Sequence, residues 1–266
     1  MAFDVRTIWD FSDPAKSEKL FREELKNPHS QEEQLEIWAQ IARCYGLQGQ
    51  FEQAHEILDD HWPEAERLQG RPLASFLLER GRVFRSSKAV ERAYEFFDRA
   101  ADSDELDLKL DAMHMQAIVA EPDDAIKINT EALEIARSTT DNEWARRWAG
   151  TLANNLGWSY FDQGKYEEAL KCFEEGLEER NGRGTASQIH QAKWAVGRCL
   201  RALGRFEEAL EVQEGLDKSD GYVVEELAEL HLAMAKQNFA QASELLGDVY
   251  GKDSDAIKRM DLLAQT

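Results

Sequence analysis

The chain has 266 residues, 42% of them hydrophobic and 32% charged, and carries a formal net charge of -20 at pH 7. So acidic a chain disfavours nucleic acid and anionic membrane surfaces, and it meets phosphate only through a local basic patch acting within a Debye length of about 8 Å. It has no run of about 18 apolar residues, its opening MAFDVRTIWDFSD lacks a basic region followed by an apolar core, and Cys44, Cys172 and Cys199 are odd in number without CxxC spacing. The expectation is a cytoplasmic chain with no signal peptide, no membrane span, and thiols that stay reduced as small core residues.

Residues 1–11 read as an irregular lead. Ser12-Asp13-Pro14 starts a helix, with a capping side chain ahead of a proline in the first turn, and this helix carries Leu20, Phe21 and Leu25 towards Asn27-Pro28. Ser30 and Glu33 form a capping box for the next helix. From there an order of residues recurs. Trp38, Ile41, Ala42 and Tyr45 lie on one helical stripe and are followed by Gly49-Gln50-Phe51-Glu52-Gln53-Ala54. In the stretch 150–177, Ala153, Leu156, Gly157 and Tyr160 take the same stripe, the pattern breaks at Gln163-Gly164, and Tyr166, Ala169, Leu170 and Phe173 form a second stripe. Two amphipathic helices joined by a tight turn follow from this spacing. Gly157 and Ala169, twelve residues apart, are the small side chains that let the helices cross closely.

Counting back twelve from each such alanine gives further units. Leu77, Gly81, Phe84, Ala93, Phe97 and Ala100 form the second; Met113 and Ala125, with a turn at Pro122, the third; Val196, Gly197, Leu200, Gly204 and Ala209 the fifth. A degenerate sixth has Leu230, Phe239 and Ala242. The longer spacings imply extended second helices or loops between Trp62 and Pro72, between Ile135 and Trp144, and at Asn181-Gly182-Arg183-Gly184, where glycine at positive φ is expected to end a helix. Ile257, Met260, Leu262 and Leu263 would cover the apolar end of the array.

Leu156-Gly157, Tyr160, Gly164, Ala169 and Phe173 resemble the tetratricopeptide repeat, W-x2-L-G-x2-Y followed by A-x3-F and P, and Trp38 supplies the aromatic that Ala153 replaces. The resemblance covers roughly residues 31–250. It implies an all-α, right-handed superhelical solenoid of about six helical hairpins. The lead and a capping helix (1–30) precede the solenoid (31–250), and a capping segment (251–266) follows it.

Catalytic constellations are thin. The six histidines form no HExxH or HxH pair, no cysteine stands beside them at metal-ligand spacing, and there is no GxGxxG, GxxxxGK[ST] or GxSxG. Glu167-Glu168, Glu207-Glu208 and Glu225-Glu226 stand where helices begin and complement the helix dipole. No enzyme activity, cofactor or metal is expected.

One slot is informative. The residue after each crossing position is Arg43, Arg82, His114, Trp158, Arg198 or His231, on the side away from the packing stripe; the resemblance implies that this side lines a groove. Arg85 and Arg201 join the column one turn on, and Phe161 lies beside Trp158. Two readings stay open. The arginines meet a ligand, or they pair with acids of the same face, among them Glu36, Glu79, Asp107, Asp111 and Asp162. Asn154 and Asn155 hold either an extended peptide backbone or an adjacent repeat. Gln191 and Ala195 depart from the clamp for peptide carboxyl termini known in the family, and Trp194 with Trp158 would flank a shallow pocket.

The resemblance thus implies a non-catalytic adaptor or scaffold whose groove binds a protein or peptide, with an acidic segment or a free carboxyl terminus as partner and neither nucleic acid nor membrane. The alternative is a regulatory sensor that responds to a signalling peptide; such sensors often carry an added effector domain, which is not expected here. An enzyme with an unrecognised site is the third reading.

Overall fold

A computed structural model of the chain describes residues 4–139, 142–250 and 258–259. A short 3-10 turn, Val5–Thr7, precedes α1 (Pro14–Glu24), α2 (Gln31–Leu47), α3 (Phe51–Leu68), α4 (Gly70–Ser86), α5 (Val90–Ala101), α6 (Leu106–Val119) and α7 (Pro122–Ser138). Then come α8 (Glu143–Asp162), α9 (Tyr166–Arg183), α10 (Ala186–Ala202), α11 (Phe206–Glu214) and α12 (Gly221–Tyr250). Among the described residues there is no strand, and no helix is long and apolar enough to cross a membrane. The capping segment expected over Ile257, Met260, Leu262 and Leu263 lies outside the described residues.

The chain forms two compact units, Met1–Ser159 and Tyr160–Thr266. In the first, α2/α3, α4/α5 and α6/α7 are antiparallel hairpins, and their first helices α2, α4 and α6 pack side by side, with α1 against α2. In the second, α10 packs on α9 and α11, and α12 on α10 and α11. Local chemistry sets the helix ends. Asp13 caps α1 by accepting from the Lys16 N–H. Both halves of the capping box of Ser30 and Glu33 are formed. Pro122 opens α7, where its missing N–H costs nothing.

Four hairpin turns share one device. Five residues before the alanine of the first, fourth and fifth hairpins, Gly49, Gly164 and Gly204 have φ of 75°, 72° and 76°, and in the second Lys88 takes the same place at 66°, whereas Ala120 of the third has φ -78°. The next residue then donates its N–H back into the first helix: Gln50 to Tyr45 O, Ala89 to Phe84 O, Lys165 to Tyr160 O and Arg205 to Leu200 O, each at 2.9 Å. This is the left-handed helix ending that glycine favours, because a Cβ there crowds the backbone.

The crossings refine the expected pairing of small residues. A Cβ built on Gly81 would stand 2.5 Å from the Phe97 ring, and one on Gly197 would stand 2.5 Å from Gln213 Nε2. The space over the glycine is therefore filled by the side chain four residues after the alanine, while Ala93 and Ala209 themselves are buried. Phe97 anchors a core with Leu77, Leu78, Ala93, Ala100, Ala112 and Met115. Leu58 plays the same part beside Leu35, Ala39, Ala42, Ala65 and Phe76. Gly157 and Ala169 are both buried.

Two expectations are corrected. The sixth hairpin is absent, since α12 runs unbroken for 30 residues: Gln237 stands in its turn slot, and neither glycine nor proline interrupts the helix between Tyr222 and Leu246. The glycines at 182 and 184 do not adopt positive φ. Helix α9 passes through Gly182, and Gly184 sits at the cap with φ -81°; what it needs is smallness, because a Cβ would stand 2.9 Å from Arg180 O. The extra residues after Trp62 are helical, so α3 is an extended second helix carrying Pro63. Of the cysteines, Cys44 and Cys199 are buried and Cys172 half-buried, and burial pushes the Cys44 and Cys199 thiols up to about 12.

Among the described residues two non-glycines have positive φ, Gln69 between α3 and α4 at 60° and Lys88 in a hairpin turn at 66°. Lys88→Gly is expected to raise stability by about 0.5–1 kcal/mol, the left-handed penalty less the larger unfolded entropy of glycine, measured as the shift in denaturant midpoint. A fall in midpoint would contradict this account of the turn.

Candidate functional site

In the first unit the expected column lies on the face made by the first helices, and Arg43, Arg82 and His114 each reach forward to the next first helix. Arg43 Nη1 on α2 is 3.6 Å from Glu79 Oε1 on α4. Arg82 on α4 donates through Nη1 to Glu79 Oε1 and through Nη2 to Asp111 Oδ1 on α6, both at 2.5 Å. His114 on α6 has its Nδ1 2.7 Å from Asn155 Nδ2 on α8. The acceptor or amide stands two residues before each crossing position, at Glu79, Asp111 and Asn155. The cation or imidazole stands one residue after it, in the preceding repeat. A second row at the helix starts repeats the motif: Arg71 on α4 bonds Glu36 on α2 at 2.7 Å, Glu105 at 3.2 Å, and Asp107 on α6 at 3.0 and 3.1 Å.

Electrostatics follow from this packing. Glu79 is 2% exposed at its side chain, and its Oε2 has no hydrogen-bond partner. Burial lowers the Arg82 pKa, and the carboxylates of Asp111 and Glu79 more than reverse that, so the guanidinium is held above its usual range. Burial and then the charge of Arg82 lower the pKa of Arg43. For His114, burial outweighs the attraction of Asp111 and, with Arg82 and Arg85, keeps the imidazole below its ordinary value of 6.5. A neutral His114 accepts from the Asn155 amide, which is the role the short contact requires.

Arg43, Arg82, Arg85 and His114 line one cleft of about 300 Å³, with Asp111 among them and Gly46, Leu47, Val83, Ser86, Met115 and Trp148 completing the wall. Arg85 differs from the rest. It is exposed, and among the described residues it makes no ion pair. Trp148, tilted against His114 with ring centroids 5.4 Å apart, was missed by the sequence reading; it stands seven residues before Asn155, so two helical turns bring it to the same face. Asn155 serves its neighbouring repeat, while Asn154 and Trp158 are half-buried elsewhere on α8.

In the second unit, Arg198 lies 5.3 Å from the Trp194 ring centroid and 5.9 Å from that of Phe161. Its Nη1 is 3.4 Å from Glu226 Oε2, and its buried Nε has no partner. Arg201 clasps the same carboxylate through Nε and Nη2. Glu226 thus acts as a buried counterion, 2% exposed, rather than a dipole-complementing acid at a helix start. Trp194 Nε1–H donates to Tyr222 O at 3.1 Å. His231 is exposed on α12 and is not brought to this cluster. Among the described residues no group of three or more histidine, cysteine or acidic side chains is arranged to hold a metal ion.

Comparison with known proteins agrees with the fold. Residues 120–181 and 154–222 match family models of the tetratricopeptide repeat. The fold is similar to that of a Signal Transduction ATPase with Numerous Domains with a tetratricopeptide repeat sensor from Pyrococcus horikoshii, with 13% identity and a TM-score of 0.65 over 95% of this chain and 39% of that one. It is also similar to the apo form of RapI, with 11% identity and a TM-score of 0.55 over 94% of this chain and 80% of that one. A Rap protein complexed with competence and sporulation factor gives 16% identity and a TM-score of 0.53 over 93% and 78%. None of the curated proteins compared matches the sequence.

Removing Arg82 leaves Asp111 without its cation and the buried Glu79 with only the longer contact to Arg43. Arg82→Met is therefore expected to cost about 3–5 kcal/mol, whereas Arg85→Met stays within about 0.5 kcal/mol of the parent; denaturant titration distinguishes them, and equal midpoints would sink the assignment. His114 makes a second prediction. Its folded pKa lies below the unfolded value of 6.5, so on acidification the unfolded chain takes up the proton first. The stability it contributes is whole above about pH 6.5 and drains away as pH falls through the lower folded value. In His114→Asn, which keeps an acceptor and cannot titrate, part of the acid-side fall in Tm between pH 7.5 and 5.5 should vanish. An unchanged pH profile would count against a neutral His114.

Proposed function

The chain is a tetratricopeptide-repeat protein, and from that premise we propose that it is a non-catalytic interaction scaffold that binds a protein or peptide segment on the first-helix face of its first unit. The observation that carries the reading is the composition of the cleft. Arg82 is committed to Glu79 and Asp111, and His114 to Asn155, so the wall is pre-organised and little side-chain entropy is lost on binding. Arg85 stands exposed at its edge beside Leu47, Val83, Met115 and Trp148. An unpaired guanidinium next to an apolar wall fits a carboxylate that is followed or preceded by an apolar side chain, either an acidic residue within a segment or a free carboxyl terminus. The family expectation of a groove partner and the resemblance in fold to a Rap protein complexed with competence and sporulation factor support the same class of partner. A peptide-responsive sensor would use the same face.

The arginines contribute unequally in this reading. Arg43, Arg82, Arg198 and Arg201 hold neighbouring helices, and their charge is largely compensated within the chain. Arg85 selects the sign of the ligand. Peptides chosen by display on the wild-type chain should be rich in Asp, Glu or free carboxyl termini next to apolar residues. Arg85→Glu should weaken those peptides by about tenfold, equivalent to about 1.4 kcal/mol, with no loss of helicity, and raising the salt concentration should weaken the wild-type complex in the same direction. Peptides that hold the Arg85→Glu chain as tightly as the parent would place the ligand elsewhere.

A further inference from the structure

The lead that reads as irregular from sequence is docked on the same face. Val5 is buried against Phe21, Ile37, Ile41 and Cys44, with Trp9 packed beside them. Trp9 Nε1–H donates to Gln40 Oε1 at 2.9 Å. Gln40 is buried on α2, two residues before the crossing position Ala42, in the slot that Glu79, Asp111 and Asn155 occupy in later repeats. The rings of Trp9 and Phe11 stack in parallel with centroids 4.6 Å apart, and the Arg43 guanidinium lies 5.3 Å from one and 5.2 Å from the other. At the other end Arg6 Nη1 is 3.4 Å from Asp107 Oδ2 on α6, while its Nε donates to Asp4 at 2.7 Å. The lead therefore reaches from α2 to α6 and occupies the first rung of the row.

We propose that residues 4–11 are a built-in occupant of this face, a strap displaced by a partner segment that carries two aromatic side chains flanking a carboxylate, as Trp9-Asp10-Phe11 does. Val5 is buried as an end cap's apolar side chain would be, but Phe11 stays 60% exposed, and its ring contacts are the Trp9 stack and the Arg43 guanidinium, groups that an incoming aromatic pair replaces one for one. Val5 anchors the strap in the core between α1 and α2, while the outer contacts of Trp9, Phe11 and Arg6 with the face, a side-chain hydrogen bond, stacking under Arg43 and an ion pair to Asp107, are each individually weak in contact with water. Covalent connection adds to them a local concentration in the millimolar range. The inference rests on the reading of this face as a segment-binding surface, but it concerns Gln40 and Arg43 rather than Arg85.

The probe is a synthetic peptide of the chain's own first thirteen residues, labelled at its carboxyl end and titrated into the full-length protein by fluorescence anisotropy. With the strap in place the wild type should bind it weakly, and Trp9→Ala/Phe11→Ala should bind it at least about tenfold more tightly, as expected when a competitor at millimolar local concentration is weakened. Adding Arg43→Ala should remove the gain. Because Trp9 touches the core, Arg6→Glu/Phe11→Ala, which alters two outward-facing residues and keeps Trp9, serves as a second variant, expected to gain at least about threefold by the same competition. Equal affinity for wild type and for every folded strap variant, or a gain that survives Arg43→Ala, overturns the proposal. If the strap variants show no gain while display-selected peptides still depend on Arg85, the strap fails and the cleft reading stands; if Arg85 also proves indifferent, both fail.

Discussion

The structure of the first unit turns on the forward bond from one first helix to the next. Arg82, held between Glu79 and Asp111, is its strongest instance. Buried pairs of this kind add little net stability, because desolvation offsets most of their attraction, but a mismatched pair is costly. They therefore fix which helix lies beside which, and at what register, more than they hold the array together. Cohesion comes from apolar filling: Phe97 over Gly81, Leu58 between α2 and α3, and Phe76 between the first and second hairpins. The two contributions sit on adjoining faces of the same helices. Packing residues occupy the stripe and polar bonds the face beside it.

This division explains what was legible in the sequence. The hairpins could be read because their determinants are local: a crossing glycine, an alanine twelve residues later, and a turn glycine in between at Gly49, Gly164 and Gly204. Pro122 and the capping box of Ser30 and Glu33 belong to the same class. Lys88 hid the second turn chemically while leaving its geometry intact, since the Ala89 N–H still reaches Phe84 O. The degenerate unit expected over Leu230, Phe239 and Ala242 stays one helix, because its stripe carries no turn signal and Gln237 gives the backbone no reason to leave the helix.

The candidate site was legible only as a column. Its members Arg43, Arg82, His114 and Arg85 do share one cleft, but which of them are committed depends on an offset between consecutive repeats, two residues before the crossing on one helix and one after it on the previous helix. That offset arises from how the helices stagger, and no single repeat contains it. Glu226 escaped for a related reason: paired with Glu225 in sequence it looks like a first-turn acid, whereas only Glu226 faces inward, with Glu225 exposed. Trp148 and the lead escaped because they lie outside the repeating frame, and their positions are set by tertiary contacts with His114, Gln40 and Arg43.

The unbroken α12 has a mechanical consequence. Among its described side chains, those that are buried are Val223, Glu226 and Leu230, all within its first ten residues, while the helix continues for two more tens of residues, about 30 Å at 1.5 Å per residue. From 231 to 244 the described side chains are at most half-buried, Ala233, Met234, Ala235, Phe239 and Ala242 among them. The firm anchor of the helix is thus its first ten residues, where Glu226 holds Arg198 and Arg201 beside the apolar contacts of Val223 and Leu230, so a truncation within that first third removes a counterion and core contacts together.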